Sequence, residues 1–141
     1  MPEKLMITAE MIEIMRAHVL RCFPEEACGI LGGSGDHIKY VLPITNELHS
    51  PVKFRMAPEE QFKAFVFLEQ NSLQMLGYYH SHPAGPAYPS ETDLLQFSYP
   101  GVVLVLLFPE NSTLQIKGFI IKENAINEVN IEDYKSKKMD F

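Results

Sequence analysis

Two histidines two residues apart, followed by an aspartate, are the part of this 141-residue sequence best suited to chemistry. They lie in Gly77–Asp93, which reads G-Y-Y-H-S-H-P-A-G-P-A-Y-P-S-E-T-D. On a strand, residues i and i+2 point to the same face, so His80 and His82 can bring both imidazoles to one point. A divalent metal held through nitrogen at about 2.0–2.1 Å requires that convergence. Asp93 comes eleven residues after His82, beyond a loop that can fold it back. Two imidazoles and one carboxylate leave one tetrahedral position open, the composition of a catalytic zinc site rather than a closed structural one. The same ligands also suit iron or manganese. Plainer readings compete. A strand-end His-x-His pair can be two hydrogen-bonded imidazoles, and Ser90-x-x-Asp93 reads as a capping-box variant with Ser90 at the N-cap and Asp93 at N3. The second reading is compatible with ligation, because a helix start is a rigid place from which to project a side chain. Hydrolysis also needs a group that takes a proton from water. Glu25 and Glu26, just ahead of the apolar run Ala27–Leu31, are both candidates on spacing alone.

The elements that must position these residues follow from periodicity. Thr8 caps a helix to about Arg21, with Met11, Ile14, Met15, His18 and Val19 spaced by three and four. Ala27–Leu31, ended by Gly32-Gly33, reads as a buried strand. His37–Ile44 is its hairpin partner, and Lys53–Met56 is a short strand. Pro58 opens a helix that continues through Phe62, Phe65, Val66 and Leu68 to about Leu73. Leu76–His82 is a strand, and Ser90 starts a short helix to about Tyr99. The seven-residue apolar run Val102–Phe108 reads as a central strand buried on both faces. Thr113–Ile121 is its antiparallel partner, and a last weak strand ends at Asn130 or Glu132. The charged tail Glu132–Lys138 is expected to fray. Strands and helices mix without strict βαβ alternation, so the class is α+β, a mixed, mostly antiparallel sheet flanked by helices.

Composition narrows the function further. The chain fits one domain, residues 1–141, large enough for a core without disulfide staples. Twelve basic against eighteen acidic residues give a net charge of −6, which argues against a general binder of nucleic acid. No secretory leader and no apolar run of membrane-spanning length is visible, so no membrane partner is expected. Cys22 and Cys28 form no CxxC motif, and the default location is a reducing cytoplasm. His18 is expected at a core edge, and His37 and His49 in solvent.

Together the motifs resemble the JAMM (MPN+) metalloprotease family, in its short prokaryotic single-domain form. The resemblance rests on Glu26-Ala27-Cys28-Gly29, on His80-Ser81-His82-Pro83, and on Ser90-Glu91-Thr92-Asp93, with seven residues between His82 and Ser90. It implies an MPN, cytidine deaminase-like fold. It also implies that His80, His82 and Asp93 hold one zinc per chain. Glu26 rather than Glu25 then serves as general base, and Ser90 helps stabilise the oxyanion. The implied reaction is hydrolysis of a peptide or isopeptide bond after the C-terminal glycines of a ubiquitin-like or sulfur-carrier protein. The glycine tail is expected to add as a strand to an exposed sheet edge near the zinc, against the wall Ala84–Tyr88. Two alternatives stand beside this: a non-catalytic MPN scaffold, and a zinc hydrolase of small amides or of cysteine adducts on a carrier protein. A second copy of the chain, paired through an edge strand or the first helix, is a further candidate partner.

Overall fold

The computed structural model of the chain describes residues 4–96, 100–123 and 125–134, with the backbone alone for 95 and 96. The strands are β1 (Lys4–Ile7), β2 (Cys28–Ser34), β3 (His37–Ile44), β4 (Gln74–Ser81), β5 (Val103–Glu110), β6 (Thr113–Lys122) and β7 (Ala125–Asp133). The helices are α1 (Ala9–Cys22), α2 (Pro58–Gln70) and α3 (Glu91–Gln96). Every expected strand is present except Lys53–Met56, which is reduced to the single bridge Asn46↔Met56. The expected end of α3 at Tyr99 and the tail beyond Tyr134 lie outside the described residues.

The strands run in the order β1-β3-β2-β4-β5-β6-β7, and the sheet closes on itself. Closure depends on β1, which the sequence reading did not anticipate. It pairs in parallel with β7 from Lys4↔Asn130 to Ile7↔Asp133, and meets β3 at Met6↔His37. The free edge expected for strand addition is therefore confined to β3. Beyond His37 the outer side of β3 pairs with no strand among the described residues.

Alternation along each strand sorts the core into two layers. Val103, Val105 and Leu107 of β5 join Leu31, Tyr79, Ile120, Leu5 and Ile7 in the layer that packs on Met15 and Val19 of α1. Leu104, Leu106 and Phe108 join Cys28, Ile30, Tyr78 and Phe119 in the layer that packs on Ala64 and Leu68 of α2. This explains why β5 reads as a continuous apolar run. Phe62, expected on the core face of α2, is 68% exposed. Two helical residues from Ala64 is about 200° around the axis, so Phe62 points away from the sheet.

α1 begins as expected, with Met11 N donating to Thr8 Oγ1 at 3.2 Å. Its His18 Nδ1 lies 2.7 Å from the Tyr79 hydroxyl, which pins the Tyr79 ring against β2. Burial holds the His18 pKa down, so the neutral ring is favoured in this bond. The pinned ring requires Gly29 opposite it, in the cross-strand pair Gly29↔Tyr79. A Cβ at Gly29 would meet Tyr79 Cε1 at 2.2 Å. Gly29→Ala is accordingly expected to cost about 3 kcal/mol, read as a lowered midpoint in urea unfolding. A variant as stable as the parent would mean that the ring is free to move.

Candidate metal centre

β4 carries the first two candidate ligands to the end of the sheet. Its pairing with β2 runs as far as Cys28↔His80, and its parallel pairing with β5 as far as Ser81↔Leu107. His82 lies one residue past the strand, held by its N–H donating to Leu107 O at 2.9 Å. His80 and His82 turn to the same side, as the i, i+2 spacing demands, and their Nε2 atoms stand 3.2 Å apart.

Asp93 arrives from the first turn of α3. Its N–H donates to Ser90 Oγ at 3.0 Å, and the Ser90 N–H donates to Asp93 Oδ2 at 2.8 Å. This is a reciprocal capping box, so capping and placement of Asp93 coexist. Asp93 Oδ2 lies 3.0 Å from His82 Nε2, and Oδ1 lies 3.2 Å from His80 Nε2. The loop between the ligands is tied back by His82 Nδ1, which donates to Pro86 O at 2.9 Å. That bond keeps a proton on Nδ1, so Nε2 is the nitrogen that faces Asp93 and that a metal would take.

The donor set fits zinc. Tetrahedral ligands at about 2.0–2.1 Å from a metal stand about 3.3–3.4 Å from one another. The three separations here, 3.0 to 3.2 Å, are close to that. His80 is fully buried, and His82 and Asp93 are 5% and 8% exposed. Among the described residues this is the group of His, Cys, Asp and Glu placed to hold a metal ion. Phe54 stacks on the His80 ring at 4.7 Å, covering its outer face. His80 Nδ1 has no hydrogen-bond partner among the described residues.

Electrostatics separates the two candidate glutamates. Glu25 faces outward and its Oε1 pairs with the exposed His49 at 2.9 Å. Glu26 is 2% exposed, and its Oε1 has no hydrogen-bond partner among the described residues. Burial raises the Glu26 pKa to about 8, with His82 pulling it down and Asp93 pushing it up. For Asp93, burial is outweighed by the hydrogen bonds from His80 and His82, which hold its pKa well below the usual carboxylate range. Burial also lowers His80, whereas at His82 it is outweighed by the bonds to Asp93 and Pro86, so His82 is raised.

The main chain of Glu26 is held on every side. Its N–H donates to Ser50 O at 2.8 Å, and its carbonyl accepts from Asn46 Nδ2 at 3.0 Å. The next N–H, of Ala27, donates to Ser81 Oγ at 2.8 Å. Neither Asn46, Ser81 nor Phe54 was singled out from the sequence, and no spacing rule marks Asn46 or Phe54. Ser90 lies where expected, half-buried at the start of α3. Its oxygen serves as the cap acceptor, which leaves the hydroxyl proton for donation.

The raised pKa of Glu26 has a sign that can be measured. Between pH 4.5 and about 8 the folded, metal-free protein holds a proton on Glu26 that the unfolded chain releases. Stability from this group therefore falls as pH rises through that window. In chelator, Glu26→Gln should match the parent near pH 4.5 and exceed it at pH 8 by about 1–3 kcal/mol, read by urea unfolding. A constant difference across that range would contradict a buried carboxyl.

Comparison with known proteins agrees with the motif. Residues 8–118 match the family model Prok-JAB, prokaryotic homologs of the JAB domain. The chain is 33% identical over 127 residues to the CysO-cysteine peptidase of Mycobacterium tuberculosis, covering 88% of this chain and 87% of that protein. It is 39% identical over 107 residues to the desampylase of Pyrococcus furiosus, covering 75% and 74%. The solution structure of a protein from Desulfitobacterium hafniense superposes with a TM-score of 0.85 at 35% identity, covering 94% of each chain. With the fold, the His-His-Asp cluster and a family match over most of its length, the chain belongs to the prokaryotic JAB-domain family of JAMM/MPN proteins.

Proposed function

We propose that the chain is a zinc-dependent peptidase or isopeptidase that cleaves after the C-terminal glycines of a small ubiquitin-like or sulfur-carrier protein. The observation that carries this reading is the buried His80–His82–Asp93 cluster with, beside it, a buried carboxyl oxygen on Glu26 that has no hydrogen-bond partner among the described residues. In this reading His80, His82 and Asp93 hold one zinc per chain. Bound zinc supplies a Lewis acid and lowers the pKa of water. Glu26 takes the proton from the attacking water and passes it to the leaving amine. Ser90 donates its hydroxyl proton to the oxygen that gains charge as the carbonyl is attacked. Pro86 O, through His82 Nδ1, fixes the tautomer that ligation requires.

The substrate class rests on the relatives' names. One is a CysO-cysteine peptidase and another a desampylase. The first favours a cysteine adduct on a carrier protein as an additional substrate, cut by the same machinery. The strand edge left to a glycine tail is the outer side of β3 beyond His37, and the loop 45–57 and the segment 83–90 are the walls it would lie between. The reading treats residues 1–141 as one working unit. It places the chain in the cytoplasm, where the free cysteines Cys22 and Cys28 stay reduced. No helix among the described residues is long and apolar enough to cross a membrane.

Elemental analysis of untagged protein is expected to give about one zinc per chain, lost in His82→Ala. A chain that takes up no metal when zinc is offered would favour the non-catalytic scaffold. The assay substrate for turnover is a ubiquitin-like protein with a fluorogenic amide on its terminal glycine. On it, Glu26→Gln should keep the zinc and lower kcat at least about a hundredfold. Retained turnover would remove Glu26 from the role of base, and lost zinc would make it a ligand.

A further inference from the structure

We propose that Asn46 and Ser81 are positioning residues that clamp the Glu26–Ala27 peptide from its two ends and so aim the Glu26 carboxyl at the metal cluster. The proposal rests on Glu26 being the base, and it names what holds that base in place.

The need for a clamp follows from where Glu26 sits. The ladder between β2 and β4 ends at Cys28↔His80, so Glu26 and Ala27 lie beyond the last paired residue of β2. Glu26 Oε1 makes no hydrogen bond of its own among the described residues. A buried carboxyl in that position takes its direction from its main chain.

Two buried side chains supply that direction. Asn46, 5% exposed, donates to the Glu26 carbonyl at 3.0 Å. Ser81, 1% exposed, accepts from the Ala27 N–H at 2.8 Å. The Ser81 N–H donates back to Ala27 O at 3.1 Å, so the serine continues the β2–β4 pairing past its end with one main-chain and one side-chain bond. Ser81 is also the residue between the two histidine ligands. The extended segment His80–His82 thereby ties the position of Glu26 to that of both histidines.

Asn46 makes the same connection from the other side. Its amide has all its bonds. Besides the Glu26 carbonyl it donates to Lys53 O at 3.1 Å, and it accepts from Leu48 N and Arg55 N, both at 3.1 Å. Those three bonds organise the loop 45–57, and that loop also provides Ser50 O for the Glu26 N–H and Phe54 for the face of His80. A role confined to loop structure accounts for three of the four bonds. The fourth leaves the loop and reaches only Glu26.

Two variants separate the clamp from general stability. Asn46→Asp keeps the acceptors for Leu48 and Arg55 but loses both amide donations, to Glu26 O and to Lys53 O in the loop, so the separation from loop structure rests on Ser81→Ala. Ser81→Ala lies outside the loop and removes only the acceptor for Ala27. With the fluorogenic ubiquitin-like substrate, each should lower kcat by about a hundredfold, because a misplacement of about 1 Å suffices for that. KM should stay within about twofold and zinc per chain should be unchanged, since neither residue touches the ligand atoms or binds substrate in this reading. In metal-free protein, hydrogen exchange at the Ala27 amide should accelerate in Ser81→Ala. Parental kcat in both variants, with Glu26→Gln inactive, would overturn the clamp and leave the base intact. Turnover retained in Glu26→Gln would instead remove the base on which the clamp depends. Unchanged exchange at Ala27 in Ser81→Ala, or zinc lost with kcat, would also overturn the clamp.

Discussion

Three electron-pair donors, two of them imidazole nitrogens and one a carboxylate, are held within about 3 Å of one another in a buried place. That is the constraint on which the rest of the structure depends. Without a cation or a shared proton between them, such donors repel, and no single proton satisfies all three contacts. The chain around the cluster must therefore impose the geometry. β4 delivers two candidate ligands at a spacing set by strand pleating, and α3 delivers the third at a spacing set by its cap. Each is fixed by main-chain bonds formed regardless of the ion: His82 N–H to Leu107 O, and Asp93 N–H to Ser90 Oγ. A pre-organised site of this kind does not have to order itself when it binds.

The closed sheet explains why that imposition can be rigid. β4 is flanked by β2 and β5, and β5 is buried on both faces between the α1 and α2 layers. Displacing His80 would break pairing on both sides and open a core filled by Leu104, Leu106 and Phe119. The layers meet the site differently. Tyr79, locked to His18 on the α1 side, requires Gly29 and so sets how closely β2 approaches β4. His80, on the α2 side, is covered by Phe54 from the loop 45–57. The Glu-x-Cys-Gly stretch is thus one device: a glycine that admits the Tyr79 ring and, three residues earlier, a glutamate placed by the resulting register.

The parts of this arrangement legible in the sequence are those set by local periodicity. His80 and His82 reveal their shared face through strand alternation, and Asp93 reveals its helix start through Ser90. β5 shows its burial as an unbroken apolar run. The illegible parts depend on contacts between distant segments. β1 is four residues long, and its partners lie about thirty and over a hundred positions away, so no pattern inside it predicts closure. Lys53–Met56 reads as a strand because its residues suit one, but Asn46 satisfies the backbone of that segment with a side chain, so that only one bridge forms. Glu25 and Glu26 could be separated only by the resemblance, because what divides them physically is His49, twenty-four positions after Glu25, drawing Glu25 outward.

Burial of Glu26 sets two demands against each other, and the cluster reconciles them. A base must be ionised to accept a proton, yet burial raises this carboxyl to about 8 and favours the protonated form. His82 is the neighbour that opposes burial, and a dication held by the three ligands would oppose it far more strongly, since a bound metal is the largest local charge in such a site. In the proposed reading, filling the site and ionising Glu26 are linked events: metal uptake would release protons from His82 and Glu26 alike. The low-polarity surroundings that raise this pKa and the cation that would lower it act against each other, so the occupied site would hold a carboxyl that ionises more readily than the metal-free one. Placing the buried glutamate beside the candidate ligands, and holding it by its main chain, would make its ionisation conditional on the occupied site.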